Sequence, residues 1–178
     1  MPAAGHTLPI WRRPWREQLR LSAPWLVPAT VAMALAFLVA DNYVAIGPNR
    51  TGSLSIKDAP IIVVIKDRAI PGRGELVAFT PDHARYYQGY RYWVKRVVGL
   101  PGDVVTYAGD TFYVNGKPVA TTKPHAKDGR PLTPGPTGAL PECRFFVATD
   151  HPDGYDSRYS DIGWVSCEQI VGRAYALP

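Results

Sequence analysis

The stretch YRYWVKRVVGLPGDVV, from Tyr90 to Val105, combines a strand pattern with a strong turn pattern. Its first part, Tyr90 to Val98, is rich in aromatic and β-branched residues, which favour strands. The next five residues, GLPGD, contain two glycines and a proline, which end a strand and favour a tight turn. The pattern therefore predicts a strand over 90–98, a turn, and a new strand from Val104.

Further short apolar segments lie on both sides of this stretch. The predicted strands, in chain order, are Ile61–Lys66, Gly74–Thr80, Val104–Tyr107, Thr111–Val114, Phe145–Ala148, Ile162–Val165 and Ile170–Ala176. The chain of 178 residues also has 18 prolines and 16 glycines, which disfavour helix interiors. We therefore expect one mainly β domain.

Two segments lack a strand pattern. Residues 42–58 are rich in Asn, Gly and Ser, and we expect a loop there. Residues 123–142 contain five prolines and few apolar side chains, so we expect an extended, mobile excursion outside the core.

An apolar segment precedes the β domain. Residues 21–40 carry no formal charge and are about long enough to cross the hydrocarbon core of a bilayer. A cleavable signal peptide is the alternative, but Leu38 is large for a cleavage site after Ala40. We predict an uncleaved anchor over 21–40, a basic tail over 1–20 and a catalytic domain over 41–178.

The positive charge is concentrated before the apolar segment. The net charge is +5, and the tail supplies four arginines (Arg12, Arg13, Arg16 and Arg20) against one acid, Glu17. The positive-inside rule therefore predicts a single-pass inner-membrane protein with a cytoplasmic tail and a periplasmic domain. Because residues 41–178 are nearly neutral, we expect membrane lipid but no nucleic acid as a partner.

The two cysteines, Cys143 and Cys167, would lie opposite one another in a hairpin centred near Tyr155. An oxidising compartment permits a disulfide between them, and two free buried thiols are the alternative. Neither has the spacing of a metal site, and we predict no metal and no cofactor.

Lys95 and Ser53 are the candidate catalytic residues. On a strand, Lys95 shares a face with Trp93 and Val97, and apolar surroundings lower the pKa of a lysine so that its amine can act as a general base. Ser53 lies in the polar stretch NRTGSLS, where the Thr51 hydroxyl and the Ser53 N–H could stabilise an oxyanion. The alternatives are a solvent-exposed lysine and a turn-forming serine.

Two motifs resemble those of bacterial type I signal peptidases. VKRVVGLPGDVV at 94–105 resembles their lysine box, and YDSRY at 155–159 resembles their C-terminal box. CEQIVGRAYAL, from Cys167, is similar to the strand that closes their catalytic domain. NRTGSLS is most similar to the nucleophile region of the TraF-like maturation peptidases of conjugative elements. The resemblance covers about residues 20–178.

The resemblance implies a membrane-anchored serine endopeptidase with a signal-peptidase-like β domain. It implies Ser53 as nucleophile, Lys95 as general base and Thr51 as an oxyanion donor. It also implies that Asp156 pairs with Arg158 and orders the site around the lysine. The implied substrate is an exported precursor, such as a conjugative pilin, and either hydrolysis or cyclisation could release the product.

The chain departs from the family pattern at three places. Ser55 stands where the family usually has proline, which makes it a second candidate nucleophile. Gly154 stands where the family usually has a small or hydroxyl residue that contacts the lysine. Residues 160–162 lengthen the last loop before Gly163.

Three other functions compete with this interpretation. His151 near Asp150, Asp153 and Asp156 could indicate a Ser-His-Asp or metal site, although no G-x-S-x-G motif is present. An inactive membrane-anchored scaffold of a secretion or conjugation apparatus is disfavoured because both Ser53 and Lys95 are present. A self-cleaving repressor of the LexA type would need a DNA-binding head, and the anchor leaves no room for one.

Overall fold

The computed structural model describes residues 9–49, 56, 59–82, 89 and 91–177. The chain divides into two compact units, with the boundary between Asn42 and Tyr43. A short 3-10 helix, Ile10–Arg12, and a 29-residue helix, α1 (Trp15–Tyr43), form the described part of the N-terminal region. Within α1, Pro24–Tyr43 has a mean hydropathy of 1.6 and is long and apolar enough to span a membrane.

The second unit consists of two antiparallel sheets, so the prediction of a mainly β fold is confirmed. The strands are β1 (Val44–Pro48), β2 (Ile61–Ile65), β3 (Leu76–Phe79), β4 (Trp93–Gly99), β5 (Val104–Ala108), β6 (Thr111–Val114), β7 (Lys117–Thr121), β8 (Gly138–Ala139), β9 (Arg144–Ala148), β10 (Val165–Ser166) and β11 (Ile170–Leu177). One sheet has the order β1-β2-β11-β3-β4-β9-β10, and the other has the order β7-β6-β5-β8. A second 3-10 helix, Cys167–Gln169, precedes β11.

Strand β9 joins two buried clusters because both of its faces are covered. Phe145 and Val147 pack with Trp93 and Val97 of β4. Phe146 and Ala148 point the other way and pack in a cluster of the second sheet that includes Phe112. This two-sided burial fixes the register of β9, since a slip by one residue would exchange its two faces.

The prediction of a loop over 42–58 is wrong at its N-terminal end. Tyr43 ends α1, and β1 pairs along its whole length with β2, with Val44 opposite Ile65 and Pro48 opposite Ile61. Strand β1 contains a glycine and a proline and has little strand pattern of its own. Its conformation is determined by pairing with β2 rather than by local propensity.

The proline-rich segment 123–142 enters the core, contrary to the prediction. Its β8 pairs with β5, and Leu140 is 2% exposed in the cluster of the second sheet. Leu132 packs against the cluster around Trp93. The prolines prevent a long helix or strand over this segment, but single apolar residues between them still pack into the core. The strand predicted over 162–165 is also shorter, because β10 begins only at Val165.

Strands β9 and β10 place the two cysteines opposite one another. Val165 pairs with Phe145 and Ser166 with Arg144, so the next position pairs residues 167 and 143. Cys143 and Cys167 form a disulfide with their Cα atoms 5.1 Å apart. The bridge closes the loop of residues 149–164, which carries the candidate Asp156 and Arg158.

Candidate active site

Lys95 lies in the middle of β4, between β3 and the end of β9. It is opposite Val77 of β3, and the adjacent Arg96 is opposite Ala148 of β9. Trp93 and Val77 belong to one buried cluster, as expected for residues on the face that Lys95 shares. The Lys95 side chain is half-buried, whereas that of Arg96 is exposed.

The surroundings of Lys95 favour its neutral amine. Burial is the largest effect and lowers the pKa of the ammonium below its usual range. The Asp156 carboxylate opposes this effect and raises the pKa, while the Arg158 guanidinium lowers it. More of the free amine is therefore present near neutral pH than for an exposed lysine, as a general base requires.

Asp156 and Arg158 form a buried ion pair close enough to act on Lys95. Their side chains are 0% and 1% exposed. Arg158 Nε donates to Asp156 Oδ1 at 2.8 Å, and Nη2 donates to Oδ2 at 3.0 Å. This two-bond geometry is the strong form of a charge-assisted pair.

The remaining Arg158 donors are matched by backbone carbonyls. Nη1 donates to the carbonyls of Thr121 at 2.9 Å and His151 at 3.2 Å, and Nη2 also donates to that of Thr149 at 2.6 Å. A guanidinium has five N–H donors, and each has an oxygen acceptor here. The pair thus holds β7, the start of the loop that follows β9 and the middle of that loop together.

The Asp156 carboxylate is equally well matched. Oδ2 also accepts the backbone N–H of Thr149 at 3.0 Å, and Oδ1 accepts that of Arg158 at 3.2 Å. Ser157, between them, exchanges two hydrogen bonds with Val147 of β9, one through its N–H and one through its hydroxyl. A buried charge pair with satisfied hydrogen bonds is rigid.

Ser53, Thr51 and Ser55 lie outside the described residues. Both flanks of this segment are described. The Asn49 side chain donates to the carbonyls of Ile56 at 3.3 Å and Ala59 at 3.0 Å. Ile56 and Ala59 are buried in a third apolar cluster with β2. Asn49 thus joins the two ends of the segment that carries Ser53, a role that the sequence pattern did not indicate.

Two of the three acids near His151 are engaged elsewhere. Asp153 forms ion pairs with Lys123 and Lys127, and Asp156 pairs with Arg158. His151 Nδ1 accepts the backbone N–H of Asp153 at 3.0 Å. These contacts describe a loop held by hydrogen bonds and ion pairs rather than a Ser-His-Asp arrangement. Among the described residues, no group of three or more His, Cys, Asp or Glu side chains could hold a metal ion.

Comparisons with known proteins show the family of the chain. The family model described as signal peptidase, peptidase S26, matches residues 18–177. A signal peptidase I from Bacillus caldolyticus is 34% identical over 164 residues, spanning 84% of this chain and 85% of the relative. A probable signal peptidase I-2 from Synechocystis sp. is 30% identical over 168 residues, spanning 91% of this chain and 73% of the relative. A solved signal peptidase I from Enterococcus faecalis V583 is 28% identical, covers 62% of this chain and 98% of its own, and has a TM-score of 0.37.

Proposed function

Because the chain belongs to the peptidase S26 family of signal peptidases, it is a serine endopeptidase, and we propose that Ser53 and Lys95 are its catalytic dyad. The observation that carries this proposal is the environment of Lys95, a half-buried lysine whose pKa is lowered beside a buried carboxylate and guanidinium. The role of Ser53 rests on the resemblance of its sequence segment to the nucleophile region of the family.

The proposed reaction begins with the neutral Lys95 amine. It takes the proton from the Ser53 hydroxyl as the oxygen attacks the scissile carbonyl. The Thr51 hydroxyl and the Ser53 N–H stabilise the oxyanion. The Lys95 ammonium then gives its proton to the departing amine, which leaves an ester on Ser53. A water molecule, deprotonated by Lys95, attacks the ester and releases the new C-terminus.

The proposed location is the inner membrane. Signal peptidases process exported precursor proteins, and Pro24–Tyr43 is long and apolar enough to span a bilayer. Four arginines precede this segment, which favours a cytoplasmic N-terminus. We propose a tail over residues 1–20, an anchor over 21–40 and a periplasmic peptidase domain over 41–178.

The proposed substrate is a pilin precursor of a conjugative element. This finer proposal rests on the similarity of NRTGSLS, residues 49–55, to the TraF-like branch. In that branch the ester on Ser53 can be attacked by the substrate's own N-terminal amine instead of water. The product is then a cyclic chain, one water lighter than the hydrolysed product.

Mass spectrometry of a co-expressed pilin precursor tests these proposals. Membranes would contain the wild type, Ser53→Ala, Lys95→Ala or the control Ser55→Ala, each in full-length form. We expect a shortened product with the wild type and Ser55→Ala, and intact precursor with the other two. The product mass distinguishes a linear from a cyclic chain. A product formed by Ser53→Ala or Lys95→Ala would contradict the dyad.

A further inference from the structure

The register of β4 and β9 places Thr149 beside Lys95. In this antiparallel pair, Val97 is opposite Val147 and Arg96 is opposite Ala148. The next position in the same register pairs Lys95 with Thr149, one residue beyond the end of β9. Residues directly opposite one another have Cβ atoms about 4.5–5.5 Å apart on the same face. Thr149 is 4% exposed, so its side chain lies inside the protein.

The Asp156–Arg158 pair holds the backbone of Thr149 at this position. The Thr149 N–H donates to Asp156 Oδ2 at 3.0 Å, and its carbonyl accepts from Arg158 Nη2 at 2.6 Å. Both backbone groups of Thr149 therefore bond to the ion pair. The ion pair therefore fixes the backbone of the residue that lies opposite Lys95.

The Thr149 side chain occupies the space that a side chain at position 154 would need. A Cβ atom added to Gly154 would lie 2.1 Å from Thr149 Cγ2, 2.7 Å from Arg158 Nη2 and 3.0 Å from Asp156 Oδ2. The first two distances are too short for any Cβ atom. The Thr149 hydroxyl accepts the N–H of His151 at 3.2 Å, which orients the methyl group towards Gly154.

We propose that Thr149 is a positioning residue that packs beside Lys95 and excludes water from its amine, and that Gly154 provides the space for it. This inference rests on the proposed role of Lys95 as the general base. Among the described residues, the charges of Asp156 and Arg158 act on Lys95, and Val77 faces it from β3. The methyl group of Thr149 fills the space at Gly154, and its hydroxyl accepts the N–H of His151.

The test compares Thr149→Ala with Thr149→Val in the full-length protein. The alanine variant opens space beside Lys95, so water can stabilise the ammonium and raise its pKa. We expect kcat to fall about tenfold or more, KM to change less than about twofold, and the acid limb of the kcat/KM profile to move to higher pH. Thr149→Val keeps the branched shape, and we expect it to retain kcat within about threefold and the wild-type acid limb.

Thr122→Ala is the matched control. Thr122 is 9% exposed, and its hydroxyl bonds to Tyr107 and to the Asp110 carbonyl in the second sheet. This variant should lower the Tm without moving the acid limb. An alanine variant of Thr149 that behaves in the same way, with no movement of the limb, would overturn the positioning role.

A second pair of variants tests the role of Gly154 without relying on kinetics. Gly154→Ala should clash with Thr149 and lower the Tm by roughly 5 °C or more. Adding Thr149→Gly removes the methyl contact. The Tm of the double variant should therefore fall by less than the sum of the losses in the two single variants. Strict additivity of the two changes would overturn the packing relation.

The outcomes separate this inference from the proposed function. An active wild type, an inactive Lys95→Ala and an unaltered Thr149→Ala would overturn the role of Thr149 alone. Equal activity of the wild type and Lys95→Ala would overturn the dyad, and the inference with it.

Discussion

Lys95 and Arg158 are two cations of the same site with opposite environments. Arg158 is fully buried, yet each of its five N–H donors has an oxygen acceptor, two of them on one carboxylate. Lys95 lies on the apolar face of β4, where burial lowers its pKa. The site thus stabilises the charge of Arg158 and destabilises that of Lys95, as the proposed role of Lys95 as a base requires.

The largest expected effect is the loss of activity in Lys95→Met. Methionine keeps the length and apolar body of the side chain but has no amine, so the rate of precursor cleavage should fall roughly 10³-fold or more. The free energy of unfolding should rise by about 1 kcal/mol near pH 7, because a half-buried, destabilised cation is removed. Cleavage assays and urea unfolding measure the two effects. Substantial residual cleavage would show that Lys95 is not the base.

Arg158→Met should change stability in the opposite direction. It leaves the Asp156 carboxylate buried without its cation, and breaking a buried pair in this way costs about 3–5 kcal/mol. Urea unfolding measures the loss. The double variant Asp156→Leu with Arg158→Met removes both charges and should be less destabilised than Arg158→Met alone. A single variant as stable as the wild type would mean that the pair does not hold the site together.

The pH dependence of kcat/KM tests the proposed role of Lys95 as the base. If the neutral Lys95 amine is the base, as we propose, kcat/KM should fall about tenfold per pH unit below the Lys95 pKa. Asp156→Asn removes the carboxylate that raises this pKa, so its acid limb should lie at lower pH than that of the wild type. Rate measurements below the Tm of each variant test this shift. A limb that moves to higher pH would reverse the assigned effect of Asp156.

The smallest effect is expected for His151→Ala. The imidazole Nδ1 accepts one backbone N–H, and the contact of His151 with Arg158 is through its backbone carbonyl, which alanine keeps. We expect kcat/KM within about twofold of the wild type, measured with the same precursor. A loss as large as that of Lys95→Met would favour a His-dependent mechanism instead.

Strong local patterns made much of this fold predictable. The β-branched and aromatic runs predicted β2, β4 and β9, and the numbering of the cysteines predicted their opposition. Strand β1 was missed because its pairing, and not its composition, makes it a strand. Leu140 was missed because its neighbours are prolines and glycines.

One part of the site was also predictable from the sequence, and another part was not. The sequence motif indicated that Asp156 pairs with Arg158, two residues apart in the chain. The position of Thr149 depends on the register between β4 and β9, which are distant in sequence. It also depends on the space that the missing side chain of Gly154 leaves. No local pattern contains that information.

A titration of the Lys95 side chain tests the central claim most directly. The full-length Ser53→Ala protein in detergent micelles, with ¹³Cε-labelled lysines, would be followed by NMR from acid to alkaline pH. The Lys95 signal is the one missing from the same protein carrying Lys95→Met. We predict that Lys95 titrates clearly below the usual range of a lysine, because burial lowers its pKa. A Lys95 pKa in the usual range of an exposed lysine would contradict the assignment of Lys95 as the general base.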